Sequence, residues 1–73
     1  MADRTLDFSG LKCPLPILKL SAVYPELKSD EIIEVIADCP TFERDIKTWC
    51  QKLGKTILNI EKYDNKVKVT IRI

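Results

Sequence analysis

Two short stretches hold the side chains best suited to chemistry. Cys13 stands directly ahead of Pro14 in Gly10-Leu11-Lys12-Cys13-Pro14-Leu15-Pro16, and Cys39 directly ahead of Pro40 in Asp38-Cys39-Pro40-Thr41. Proline is favoured at the first helical position, where its missing N–H would have no intrahelical partner and its φ is already helical. Cys13 is therefore predicted to be a helix N-cap. A thiolate there faces the positive end of the helix dipole, which lowers a cysteine pKa from about 8.5 toward roughly 3.5–7.5. Pro14 and Pro16 have no N–H to offer, so only Leu15 and Ile17 of the first four helical residues can donate toward the sulfur. The expectation is a stiff, exposed, nucleophilic thiol with a modestly lowered pKa. The same spacing also fits a proline-rich helix start whose cysteine is simply a small apolar residue.

The rest of the composition narrows the chemistry. The chain has no histidine, which removes Ser–His, Cys–His and His–metal arrangements together. Its only glycines are Gly10 and Gly54, so there is no glycine-rich phosphate loop and nothing points to nucleotide hydrolysis. Three cysteines fit neither a disulfide framework nor the paired spacing of a zinc site. A reduced cytoplasmic protein with no metal and no cofactor is expected. Twelve Lys and Arg against 11 Asp and Glu leave a net charge of +1, which does not mark a nucleic-acid or membrane binder. The N-terminus carries an acid and no apolar run, unlike a signal peptide, and no stretch approaches the ~18 apolar residues of a membrane span.

At 73 residues the chain has room for one domain, 1–73, built from one sheet and two helices. Residues 4–8 alternate polar and apolar, as a half-buried strand does. From 14 to about 27, Ile17, Leu20, Tyr24 and Leu27 share a helix face, with Pro25 ending or kinking the helix near Tyr24. Residues 31–37 are rich in β-branched types and apolar on both faces for most of their length, which predicts a central strand. Phe42, Ile46, Trp49, Cys50 and Leu53 form an amphipathic stripe, with Glu43 and Asp45 in the first turn, Lys52 in the last, and Gly54 as C-cap. After it, Thr56, Leu58 and Ile60 are predicted to face one way. Val67, Val69, Ile71 and Ile73 alternate with Lys66, Lys68, Thr70 and Arg72, and Tyr63-Asp64-Asn65 reads as a hairpin turn.

The order βαβαββ predicts an α+β fold: a two-layer α/β sandwich with two helices on one face of a four-stranded mixed sheet. Its core is expected to hold Leu6, Phe8, Ile17, Leu20, Val35, Phe42, Ile46, Trp49, Val69 and Ile71. Asn59, Glu61, Lys66, Lys68 and Arg72 are expected on the open face. If the strands preceding the two Cys-Pro junctions run parallel, Cys13 and Cys39 emerge at one edge, where ligands bind in α/β folds.

Thr5-Leu6-Asp7 followed by Gly10-Leu11-Lys12-Cys13-Pro14-Leu15-Pro16 closely resembles the TusA/SirA family of small sulfur carriers, whose signature is a Cys-Pro-x-Pro opening the first helix. Ala37-Asp38-Cys39-Pro40-Thr41 with Arg44-Asp45-Ile46 extends the likeness over nearly the whole chain. The resemblance implies a βαβαββ sandwich in which Cys13 carries sulfur as a persulfide. That sulfur would come from a cysteine desulfurase or rhodanese-like donor and pass to an acceptor protein serving tRNA thiolation, cofactor synthesis or sulfur metabolism. Whether to regard such a sulfurtransferase-type carrier as an enzyme is left open. A monomer without direct nucleic-acid contact or membrane insertion is expected.

Around Cys13, the supporting residues are Pro14, Pro16, Lys12, Asp38, Arg44 and Asp45. Lys12 and Arg44 could stabilise a thiolate or persulfide anion, and Asp38 and Asp45 could orient basic residues of a partner. Cys39 replaces a second acid found in many family members, and it opens two alternatives: a thiol redox switch using Cys13 and Cys39, or a non-catalytic interaction module. Two N-cap cysteines on neighbouring strands, about 4.8 Å apart, could come within disulfide range. Attack by Cys39 on a Cys13 persulfide would then release sulfide. A carrier is expected to hold the two apart, without a disulfide in the native reduced protein. Cys50, beside Trp49, is expected in the core.

Overall fold

The computed structural model describes residues 3–12 and 15–73. In chain order the elements are β1 (Arg4–Asp7), α1 (Leu15–Val23), a 3₁₀ turn (Tyr24–Glu26), β2 (Ile32–Ala37), α2 (Phe42–Leu53), β3 (Thr56–Tyr63) and β4 (Lys66–Arg72). Pro25 ends α1 as its missing N–H requires, and the chain tightens into the 3₁₀ turn rather than continuing to Leu27 as an α-helix.

The four strands form one mixed sheet in the order β1-β2-β4-β3. β1 lies parallel to β2, with Leu6 opposite Val35 and Asp7 opposite Ile36, while β4 is antiparallel to both β2 and β3. β2 is central, as its two apolar faces predict. The β3–β4 hairpin closes through Asp64 and Asn65 at φ 47° and 61°, the left-handed pair that a two-residue turn between twisted strands demands.

Both helices cover one face. Leu20, Ile33, Val35, Ala37, Phe42, Ile46, Trp49, Cys50, Val69 and Ile71 are buried between the layers, and Leu6, Phe8 and Ile17 pack against them partly exposed. Trp49 joins the helices: its indole N–H donates to Ser21 Oγ at 3.0 Å, and the Tyr24 ring meets it edge-on at 5.4 Å. On the open face, Lys68 lies between Glu34 and Glu61 at 3.5 and 3.6 Å.

Two packing expectations are corrected. A β-bulge between Ile57 and Asn59 turns Leu58 outward, 47% exposed, so Ile57 and Ile60 supply the apolar contacts of β3. Leu53, at the last turn of α2, is 41% exposed because the stripe runs past the end of the sheet's cover.

Candidate functional site

The Cys-Pro-x-Pro stretch joins β1 to α1. Its cysteine and first proline, and with them the N-cap expectation for Cys13, lie outside the described residues. Gly10, at φ +86°, donates its N–H to Asp38 Oδ2 at 3.0 Å, and Leu11 N–H returns to the Phe8 carbonyl at 3.3 Å. Leu15 N–H donates to the Lys12 carbonyl at 2.7 Å, at the start of α1. Because β1 and β2 are adjacent and parallel, their exits leave the sheet in the same direction, and the Gly10–Asp38 bond ties them together across 28 residues of sequence. The exits of β1 and β2 thus lie at one edge of the sheet; the expected emergence of Cys13 there falls outside the described residues.

The sequence-predicted residues fall into two groups. Lys12, Asp38 and Arg44 are exposed, and Pro16, in the first turn of α1, is buried. Arg44 Nε lies 3.9 Å from Asp45 Oδ1, a surface pair in the first turn of α2. Cys39, by contrast, is 5% exposed, with its Sγ 3.4 Å from Thr41 Oγ1; the Thr41 hydroxyl donates to Asp45 Oδ2 at 3.0 Å. The buried sulfur is thereby linked through a hydroxyl to a half-buried carboxylate. That carboxylate lines an open cleft of about 290 Å³ between the helices, together with Ile17, Thr48, Trp49 and Lys52.

Cys39 departs from expectation twice. The N-cap of α2 is Thr41, not Cys39, because the chain needs two further residues to turn from β2 into the helix. Cys39 is also disulfide-bonded, whereas the sequence argued against a disulfide; the expectation that Cys13 stands apart from it falls on a residue outside the described ones. Cys50 is a free, buried thiol, and burial pushes its pKa up to about 11, the opposite of an activated nucleophile.

Three features escaped the sequence reading. Thr41 bridges Cys39 and Asp45, a role its position four residues ahead of Asp45 at a helix start could have signalled. The Gly10–Asp38 bond has no local signature. Leu15 and Leu18 are 41% and 56% exposed, placing apolar surface beside the motif, because α1 is apolar on nearly every side and cannot bury all of it.

Among known proteins, the family described as sulfurtransferase TusA matches residues 4–73. A putative sulfur carrier protein of Aquifex aeolicus is 41% identical over 70 residues, covering 96% of this chain but only 36% of that protein, so the chain spans about a third of its length. The sulfur carrier protein TusA of Pseudomonas entomophila is 41% identical over 56 residues, covering 77% of this chain and 70% of its own. In fold, the crystal structure of a SirA-like protein from Desulfitobacterium hafniense superposes with a TM-score of 0.79, at 23% identity, over 94% of this chain and 95% of that one.

Proposed function

The chain belongs to the TusA sulfurtransferase family, and from that premise we propose that it is a sulfur carrier in which Cys13 relays persulfide sulfur from a donor protein to an acceptor protein. The observation that carries this reading is the position of Gly10-Leu11-Lys12-Cys13-Pro14-Leu15-Pro16. It spans the turn from a short edge strand into α1, with its lead-in tied to the β2 exit by the Asp38 carboxylate. The exposed Leu15 and Leu18 offer a partner protein an apolar contact in and beside the motif.

In the carrier cycle, the Cys13 thiolate attacks the terminal sulfur of the donor's persulfide. A new S–S bond forms on Cys13 and the donor cysteine leaves as its thiolate; the acceptor's thiolate reverses these roles. Lys12, one residue before Cys13, and Arg44, in the first turn of α2, are solvent-exposed cations, and a cation beside the sulfur favours the anionic forms of both thiol and persulfide. A cysteine desulfurase or a rhodanese-like protein is the class of donor that supplies such a persulfide, and no metal or cofactor takes part in the exchange.

The test is direct. Incubation with a cysteine desulfurase and cysteine, quenched within seconds by a thiol-alkylating reagent, adds about 32 Da at Cys13. Cys13→Ser abolishes the adduct and Cys50→Ser does not. An adduct on Cys50 in preference to Cys13 would overturn the reading.

A further inference from the structure

The cleft between the helices carries both signs of charge on one helix. Asp45 and Lys52 stand two turns apart on α2, about 10 Å along its axis, and both line the cleft with Ile17, Thr48 and Trp49. Asp45 is half-buried: Oδ2 accepts the Thr41 hydroxyl at 3.0 Å, and Oδ1 lies 3.9 Å from Arg44 Nε, beyond hydrogen-bonding reach. Arg44 is 79% exposed, so that loose contact can yield Asp45 to an incoming cation. Lys52 is exposed and forms no ion pair among the described residues. Seven residues separate it from Asp45, too many for the four-residue pairing that stabilises a single helix. Apolar surface is close by, because Leu15 and Leu18 are 41% and 56% exposed on the other helix of the same layer.

We propose that a second copy of the chain docks on this helical face, the two α2 helices lying antiparallel across a two-fold axis, with Lys52 of each copy reaching into the other's cleft to pair with Asp45. The charge pattern is its own complement. In an antiparallel pair centred between Thr48 and Trp49, position 45 of one helix lies level with position 52 of the other, so a single two-fold axis forms both ion pairs at once. Asp45, Thr48 and Lys52 have the three- and four-residue spacing of helix-packing ridges. Thr48, exposed at the middle, is short enough to let the helices approach, and its hydroxyl is already spent on the Arg44 carbonyl at 3.1 Å. A different protein would have to carry the matching charges independently; a second copy has them by construction. The contact is small and partly ionic, so pairing is weak, with a dissociation constant on the order of 0.1 mM, and it loosens as salt is added. A chain so paired cannot offer this face to another protein, which makes pairing and docking alternatives. Pairing needs neither sulfur nor Cys13.

The experiment measures the mass of the full chain by sedimentation equilibrium from about 10 μM to about 1 mM at low salt, with non-reducing electrophoresis to exclude chains joined by a disulfide. The wild type is expected to pass from one chain toward two over that range, and to return toward one chain in ~0.5 M salt. Asp45→Lys and Lys52→Glu each set like charges against one another twice in a symmetric pair, and each is expected to weaken pairing at least about tenfold. Mixed one to one, the two variants bring opposite charges together again at both contacts and are expected to form a heterodimer about as tight as the wild-type pair. Asp45→Asn keeps an oxygen for the Thr41 hydroxyl and serves where the lysine prevents folding; it is expected to weaken pairing several-fold. A wild type that stays a single chain throughout leaves the cleft to a different protein and overturns the proposal. So does a wild type that pairs while the single variants pair as tightly, since the contact then lies on another face. Failure of the mixed variants to pair, with the wild type paired, overturns it as well.

Discussion

The backbone N–H of Gly10 donates to the Asp38 carboxylate at 3.0 Å, joining the two loops that carry the Cys-Pro pairs. Asp38→Ala removes the acceptor and leaves the loop before Cys13 without that tether. Loading of Cys13 by a persulfide donor should slow by roughly tenfold, since small displacements of a reacting group are costly. Asp38→Asn keeps an oxygen in the same place and should restore most of the rate. Equal slowing in both variants would show that the negative charge of Asp38, rather than its hold on Gly10, is what matters.

Gly10 and Gly54 are the two positions where glycine's freedom is used, at φ +86° and +71°. An added Cβ would meet nothing within 4 Å at either site, so alanine there pays only for its left-handed backbone, about 1 kcal/mol. Each alanine variant should lower Tm by about 4–8 °C, and asparagine should cost less at both positions. A drop well beyond that range would mean steric contacts the open surroundings do not suggest.

The architecture was legible because its signals are local and mutually consistent. The alternation of residues 66–73, the stripe of α2 and the Asp64-Asn65 turn each point to one element, and together they leave a single way to cover the sheet. The misread positions are those where a local rule is overridden. The bulge at Leu58 breaks strand alternation, and α1 has too little polar surface for its sequence to show which side is buried. The site was legible in part. Cys-Pro pairs mark strand-to-helix junctions through backbone chemistry, but the meeting of Gly10 with Asp38 is set by strand pairing across 28 residues.

Trp49 is the main link between the two helices, 9% exposed, hydrogen-bonded to Ser21 and edge-on to Tyr24. Trp49→Ala should cost about 3–5 kcal/mol, enough to threaten a domain of this size. Trp49→Phe retains much of the apolar volume and loses the indole hydrogen bond; Ser21→Ala removes the same bond from the other side. Each should cost about 1 kcal/mol in urea unfolding, and the double variant should cost less than the sum. Strict additivity would mean that the Ser21 contact contributes nothing.

The Cys50 thiol gives the fold a pH dependence of definite sign. Burial raises its pKa from 9.0 to about 11, because an anion at a position 2% exposed is poorly solvated. A group whose pKa is higher folded than unfolded stabilises the fold fully below the unfolded value and loses that contribution as pH rises through the folded one. Stability should therefore fall between pH 9 and 11 by an amount on the order of 2 kcal/mol from this group. Lys68 acts in the same direction at high pH, because the charges of Glu61 and then Glu34 raise its pKa. Cys50→Ala separates the two: it is less stable than the wild type at pH 8, yet keeps the Lys68 contribution and loses the thiol's. Urea unfolding under reducing conditions at pH 8, 9, 10 and 11 should show the two stabilities converging as pH rises. Parallel curves would show that the thiol does not change its protonation between the folded and unfolded chains in that range.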